Sequence, residues 1–145
     1  MDQLHAHLRP RLIAVLVGAA MVLVSAACSS EPAAPSPASV AGRYVLATIG
    51  GQPVPVAYVS LTDSFVDDAI SLRADATYDR LGHQRMLTPL GMVTVVLLDT
   101  GRFSVNGSTV SFNSHKQFGM HLDGTLAAGT MTFGGIPGPF VYHRQ

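Results

Sequence analysis

From Gly42 to the C terminus, apolar side chains return at every second residue, and no window keeps a 3.6-residue period over three turns. Such a chain is built for strands. Tyr44, Leu46 and Thr48 alternate with Val45, Ala47 and Ile49 before Gly50-Gly51 stops the run. Ala69 to Ala74 sets Ile70 and Leu72 against Ser71 and Arg73, and Asp75-Ala76 turns the chain into Thr77 to Met86. Thr88 to Gly91 is the next turn, followed by the β-branched run Met92 to Leu98. Asp99-Thr100-Gly101 reads as a break or bulge in that run, which Arg102 to Val105 resumes. Asn106-Gly107 is the strongest local signal, because both residues tolerate the positive φ that a type I′ hairpin turn needs. Thr109 to Asn113, Phe118 to Leu126, Thr130 to Phe133 and Phe140 to His143 complete the series, with Ala127-Ala128-Gly129 and Gly134 to Pro139 as connections. Between Pro53 and Asp68 the pattern weakens: Val56 to Leu61 reads as a strand and Ser64 to Ala69 as a single helical turn.

About eight to ten short antiparallel strands at this spacing make an all-β domain, and the expected form is a single antiparallel meander β-barrel. A two-sheet β-sandwich is the alternative. Closure favours the barrel, since it removes exposed strand edges. Tyr44, Phe103, Val105, Val110, Phe112, Met120, Leu122, Met131 and Phe133 fall on the apolar phase and are the expected interior. They either fill the barrel or leave a slot for one small apolar ligand.

The N-terminal segment carries a different signal. Arg9 and Arg11 precede Leu12 to Val24, a run without charge that matches a signal-peptide core of about 7–15 residues and falls short of the roughly 20 that span a bilayer. Val24-Ser25-Ala26-Ala27-Cys28 resembles the lipobox of bacterial lipoproteins, which implies cleavage before Cys28 and acylation of its thiol. Ser25 and Ala27 also satisfy an ordinary small-x-small cleavage site, in which case Cys28 stays unmodified. The expected organisation is a signal peptide over 1–27, a lipidated Cys28 with a disordered, unpacked Pro-rich linker over 28–41, and a barrel domain over 42–145. The expected location is the cell envelope, facing the periplasm or the exterior, with the membrane as partner through the lipid.

Gly42-Arg43-Tyr44-Val45-Leu46, Gly51-Gln52-Pro53-Val54-Pro55 and Asp75-Ala76-Thr77-Tyr78 follow one another in an order similar to a group of small bacterial lipoproteins. Asp99-Thr100-Gly101, Asn106-Gly107 and Thr109-Val110-Ser111-Phe112 continue that resemblance. It implies that the 42–145 domain is a lipocalin-like barrel of unassigned activity. Lipocalins open on Gly-x-Trp with an Arg from the last strand packed over the indole. Here Gly42-x-Tyr44 stands in that place, and the resemblance implies that Arg144 lies over Tyr44.

Chemistry-bearing patterns are few. His83, His115, His121 and His143 are scattered over different strands, without the short fixed spacing of a metal site. Asp63, Asp67, Asp68, Asp75 and Asp79 read as solvated loop carboxylates, because no glycine-centred calcium loop spaces them. No Gly-x-Ser-x-Gly elbow or phosphate loop is present, and Cys28 is the only thiol. Beyond residue 27 the chain has seven basic and eight acidic residues, no polycation for nucleic acid. The expectation is a protein that is not an enzyme, with no metal and no cofactor: a lipid-anchored binding module holding a small apolar ligand. The alternative is an envelope structural or inhibitory module with a solid core that binds a protein.

Overall fold

A computed structural model of the chain describes residues 34–57 and 64–145. The segment expected to be a signal peptide, Cys28 and the start of the expected spacer lie outside those residues, as does the 58–61 part of the strand expected over Val56 to Leu61.

The spacer does not stay unpacked as far as Ala41. Ser36 and Ser39 form a capping box, with Ser39 N–H donating to Ser36 Oγ at 3.3 Å and Ser36 N–H to Ser39 Oγ at 2.9 Å. Pro37 takes the first helical position, where its missing N–H has no helical partner to lose. The result is one helical turn, α1 (Pro37–Val40). Val40 packs against the core, and its carbonyl accepts the Tyr44 hydroxyl at 2.9 Å. The packed chain therefore begins upstream of Gly42.

The strands are β1 (Gly42–Ile49), β2 (Gln52–Pro53), β3 (Val56–Ala57), β4 (Ser64–Leu72), β5 (Thr77–Thr88), β6 (Gly91–Asn106), β7 (Thr109–Ser114), β8 (His121–Ala127), β9 (Thr130–Phe133) and β10 (Phe140–Arg144). From β4 to β10 each pairs antiparallel with the next, and β1 lies between β10 and β4. Tyr44 faces Arg144 on one side and Ile70 on the other. That double pairing closes eight strands into the meander barrel, leaving β2 and β3 as short additions to β1 and β4.

Four local readings change, each for a physical reason. Ser64 to Ala69 is strand, not a helical turn. A bulge between Phe65 and Asp67 shifts the phase there, so Phe65 and Asp68 are both buried and simple alternation fails. Asp99-Thr100-Gly101 does not interrupt β6, which runs unbroken with Asp99, Gly101 and Phe103 all buried. The hairpin turn after β6 is centred on Gly107-Ser108, since Asn106 pairs with Thr109 and positive φ is confined to Gly107, as in a type II′ turn. Phe118 belongs to a turn, and β8 starts only at His121.

Arg144 lies within β10 and not after it. Its guanidinium donates to the carbonyls of Ala41 and, at 3.4 Å, Ser39, so it latches the α1 segment from a position opposite Tyr44 in register. Gly42 makes room, because a Cβ there would sit 2.7 Å from Arg144 Nε.

Two buried glycines show how tightly the wall is drawn. A Cβ on Gly124 would lie 2.6 Å from the Phe133 ring, and one on Gly101 would run into the Asn113 carbonyl and approach the Tyr78 ring to 2.8 Å. A backbone obstacle cannot rotate away. Gly101→Ala is expected to cost about 1–3 kcal/mol in urea denaturation, whereas Gly134→Ala, which meets nothing within 4 Å, should stay within about 0.5 kcal/mol.

Candidate functional site

Two carboxylates point inward. Asp68 shares the phase of Ile70 and Leu72 on β4, and its side chain is fully buried. Gly82, opposite it in register, has no side chain, and a Cβ there would stand 2.8 Å from Asp68 Oδ1. Arg80 on β5 sets Nε 3.0 and 2.9 Å from the two carboxylate oxygens and Nη2 2.6 Å from Oδ2. The Tyr142 hydroxyl on β10 donates to the same Oδ2 at 2.8 Å. Burial works against the Arg80 charge, but the Asp68 hydrogen bonds and charge outweigh it and its pKa rises. Burial, then the Asp68 charge, pushes the Tyr142 phenol up, so it remains a donor.

Asp99 on β6 gathers four donors. The Tyr78 hydroxyl reaches Oδ2 at 2.9 Å and Met120 N–H the same oxygen at 2.7 Å. Ser114 Oγ reaches Oδ1 at 2.5 Å and Thr100 N–H at 2.9 Å. Burial alone raises the Asp99 pKa, yet the bonds from Ser114, Met120, Tyr78 and Thr100 together hold it below the usual 3.8. Gly119 passes close, since a Cβ there would lie 2.6 Å from Asp99 Oδ1.

A chain of rings joins the two clusters. Tyr78 meets Phe112 edge-on at 5.0 Å, Phe112 meets Phe133 at 5.6 Å, and Phe133 meets Tyr142 at 5.6 Å. Edge-to-face contacts at these separations are favourable beyond simple burial. The interior is thereby crossed from the Asp99 cluster to the Asp68 cluster. Among the described residues no buried side-chain polar atom lacks a partner.

Of the expected interior residues, Tyr44, Phe103, Val110, Phe112, Met120, Met131 and Phe133 are buried, and Val105 is half-buried against the core. Leu122 is not interior: it is 41% exposed. It faces Phe112 in register, but β9 stops at Phe133 opposite Gly124, so nothing from β9 covers it. The residues that organise the interior, Asp68, Arg80, Asp99 and Tyr142, were not singled out by sequence reasoning. Their phase was the available signal: Asp68 with Ile70, Arg80 with Tyr78, and Asp99 with Phe103. Asp68 is not a solvated loop carboxylate.

Two open hollows indent the described surface. One, of about 220 Å³, lies by α1 against Val40, Tyr44, Val105, Leu126 and Arg144. The other, of about 230 Å³, lies over residues 102–104 and 111–113 of β6 and β7. His83 Nδ1 is 2.7 Å from Asp67 Oδ1, and His121 Nε2 is 2.9 Å from the Lys116 carbonyl. Among the described residues no three His, Cys, Asp or Glu side chains gather as metal ligands.

The outside of the β5–β6 hairpin carries several exposed apolar side chains beside His83 and Arg85. Leu81 and Leu98 face each other across the two strands, both exposed, and Met92 and Val96 continue the row. Leu90, at the hairpin tip, is 98% exposed. No family model, curated protein or solved structure matches the chain. The resemblance to small lipoproteins thus gains a closed barrel and no family membership.

Removing one partner from a buried pair leaves the other charge uncompensated, so Asp68→Asn is expected to lose about 3–5 kcal/mol in urea denaturation. Asp99 has a folded pKa below its ordinary value. Its contribution is therefore full above pH 3.8 and fades as pH falls through the lower folded value. Denaturation across an acid series should show stability declining there, and a shallower decline in Asp99→Asn.

Proposed function

We propose that the protein is a lipid-tethered module of the cell envelope that works through the outer surface of its barrel, without catalysis and without a ligand inside. The observation that supports this reading is the set of side chains crossing the interior: the Asp68–Arg80–Tyr142 cluster, the ring chain and the Asp99 cluster lie where a lipocalin-type ligand would be expected. The two hollows outside that axis are smaller than the roughly 300–1,000 Å³ of ordinary small-molecule sites. Both carboxylates have their oxygens engaged by internal donors, which leaves them poor bases for a substrate. Exposed apolar side chains on one hairpin fit a protein contact, because patches of this kind mark interaction surfaces. The tether rests on the lipobox-like segment ending in Cys28, where two or more acyl chains give firm attachment.

Metabolic palmitate labelling of the full chain is expected to label the wild type and not Cys28→Ala. Native mass spectrometry of the released barrel should give the bare chain mass. An apolar molecule retained at one equivalent, or an unlabelled wild type, contradicts the corresponding half of the reading.

A further inference from the structure

Antiparallel strands turn alternate residues to alternate neighbours, and in β6 the assignment can be read directly. Phe103 N–H donates to the Ala76 carbonyl on the β5 side, at 2.9 Å, so odd-numbered residues bond toward β5. His115 N–H donates to the Thr100 carbonyl on the β7 side, also at 2.9 Å, so even-numbered residues bond toward β7. β7, however, ends at Ser114, opposite Gly101. The Lys116 ammonium takes the Leu98 carbonyl. Beyond it, among the described residues, the even-side N–H and C=O groups of Met92, Thr94 and Val96 meet no strand. The same residues point their side chains outward, where Met92, Val96 and Leu98 are exposed. Natural edges are guarded by charge, proline, bulges or short length. Met92 to Leu98 has no charged residue and no proline, and its register with β5 is unbroken.

We infer that this edge pairs with the same edge of a second copy, antiparallel about a two-fold axis at Val95, to give one sheet running through two barrels. The inference rests on the reading that the outside of the barrel is its working surface. About that axis, Thr94 faces Val96 of the second copy with their free N–H and C=O groups turned toward each other, and Met92 faces Leu98, whose carbonyl already accepts the Lys116 ammonium and keeps a second lone pair for a donor. Val93 faces Leu97 of the second copy, and Val95 faces itself. No two like charges are opposed. The two Lys116 ammoniums stand at opposite ends of the pairing, about 20 Å apart at roughly 3.4 Å per residue, well beyond the roughly 8 Å screening length. Each Leu90 turn comes against the 115–119 turn of the other copy, which carries the 95% exposed Phe118. Lipid offers nothing to a row of backbone donors and acceptors, whereas an added strand satisfies them.

Light scattering of the full chain, over a dilution series in detergent, is expected to give twice the monomer mass. Val96→Pro deletes an N–H on the open side and none bonded to β5, while Val96→Lys puts a charge on the edge. Both should run at monomer mass with unchanged circular dichroism, and if the proline variant misfolds the lysine variant decides. In the full-length Cys28→Ser chain, Val95→Cys should oxidise to a disulfide dimer, because only residue 95 meets its own copy, and Thr94→Cys should not. A monomeric wild type at every dilution overturns the inference, as do edge variants that stay dimeric or a Thr94→Cys that crosslinks equally well. None of these results bears on whether a ligand sits in the barrel, which native mass spectrometry decides separately.

Discussion

Asp68 holds a carboxylate out of water inside a shell of apolar side chains, and much of the interior is arranged around that charge. Effective desolvation costs several kcal/mol per ion unless good geometry offsets it. Here the offset comes from a two-nitrogen grip by Arg80 and a phenol from Tyr142. Asp68 sits on β4 and Tyr142 on β10, the two strands that flank the closing strand β1. Their hydrogen bond therefore spans β1 on the inside, and sealing the ring and satisfying the carboxylate are a single event. Gly82 belongs to the same arrangement, since any side chain there would occupy the space of the carboxylate.

The second carboxylate performs the equivalent task at another seam. Asp99 draws β5, β6, β7 and the start of the chain into β8 together through Tyr78, Ser114 and Met120. Between the two clusters the rings of Phe112 and Phe133 leave no polar group waiting for a ligand. The surface is uneven in one respect: β5 and β6 outrun their neighbours, so that a closed barrel, which otherwise abolishes edges, still carries one along Met92 to Leu98.

Much of this was legible in the residues. Alternation located β1, the end of β4, the second half of β6, β7, β9 and β10, and short turns between similar strands implied a meander. The failures share a cause. At Phe65 to Asp67 a bulge shifts the phase, and a window that counts every second residue loses the strand. At Asp68 and Asp99 the side chain is charged, so the inward phase was overruled by polarity. The groups that justify burying Asp68 lie 12 and 74 positions away, beyond any local window. Leu122 fails in the opposite direction: its phase is right, but the neighbouring strand ends too soon to cover it. At α1 the capping residues Ser36 and Ser39 were visible, and the surrounding proline and alanine masked them.

The central claim is that the barrel has no room inside. Xenon enters dry apolar cavities of protein interiors and leaves filled ones alone. A crystal of the barrel pressurised with xenon is the direct measurement. The expected result is no bound atom between the Asp68 and Asp99 clusters; an ordered xenon on the barrel axis beside Phe112 or Phe133 contradicts it.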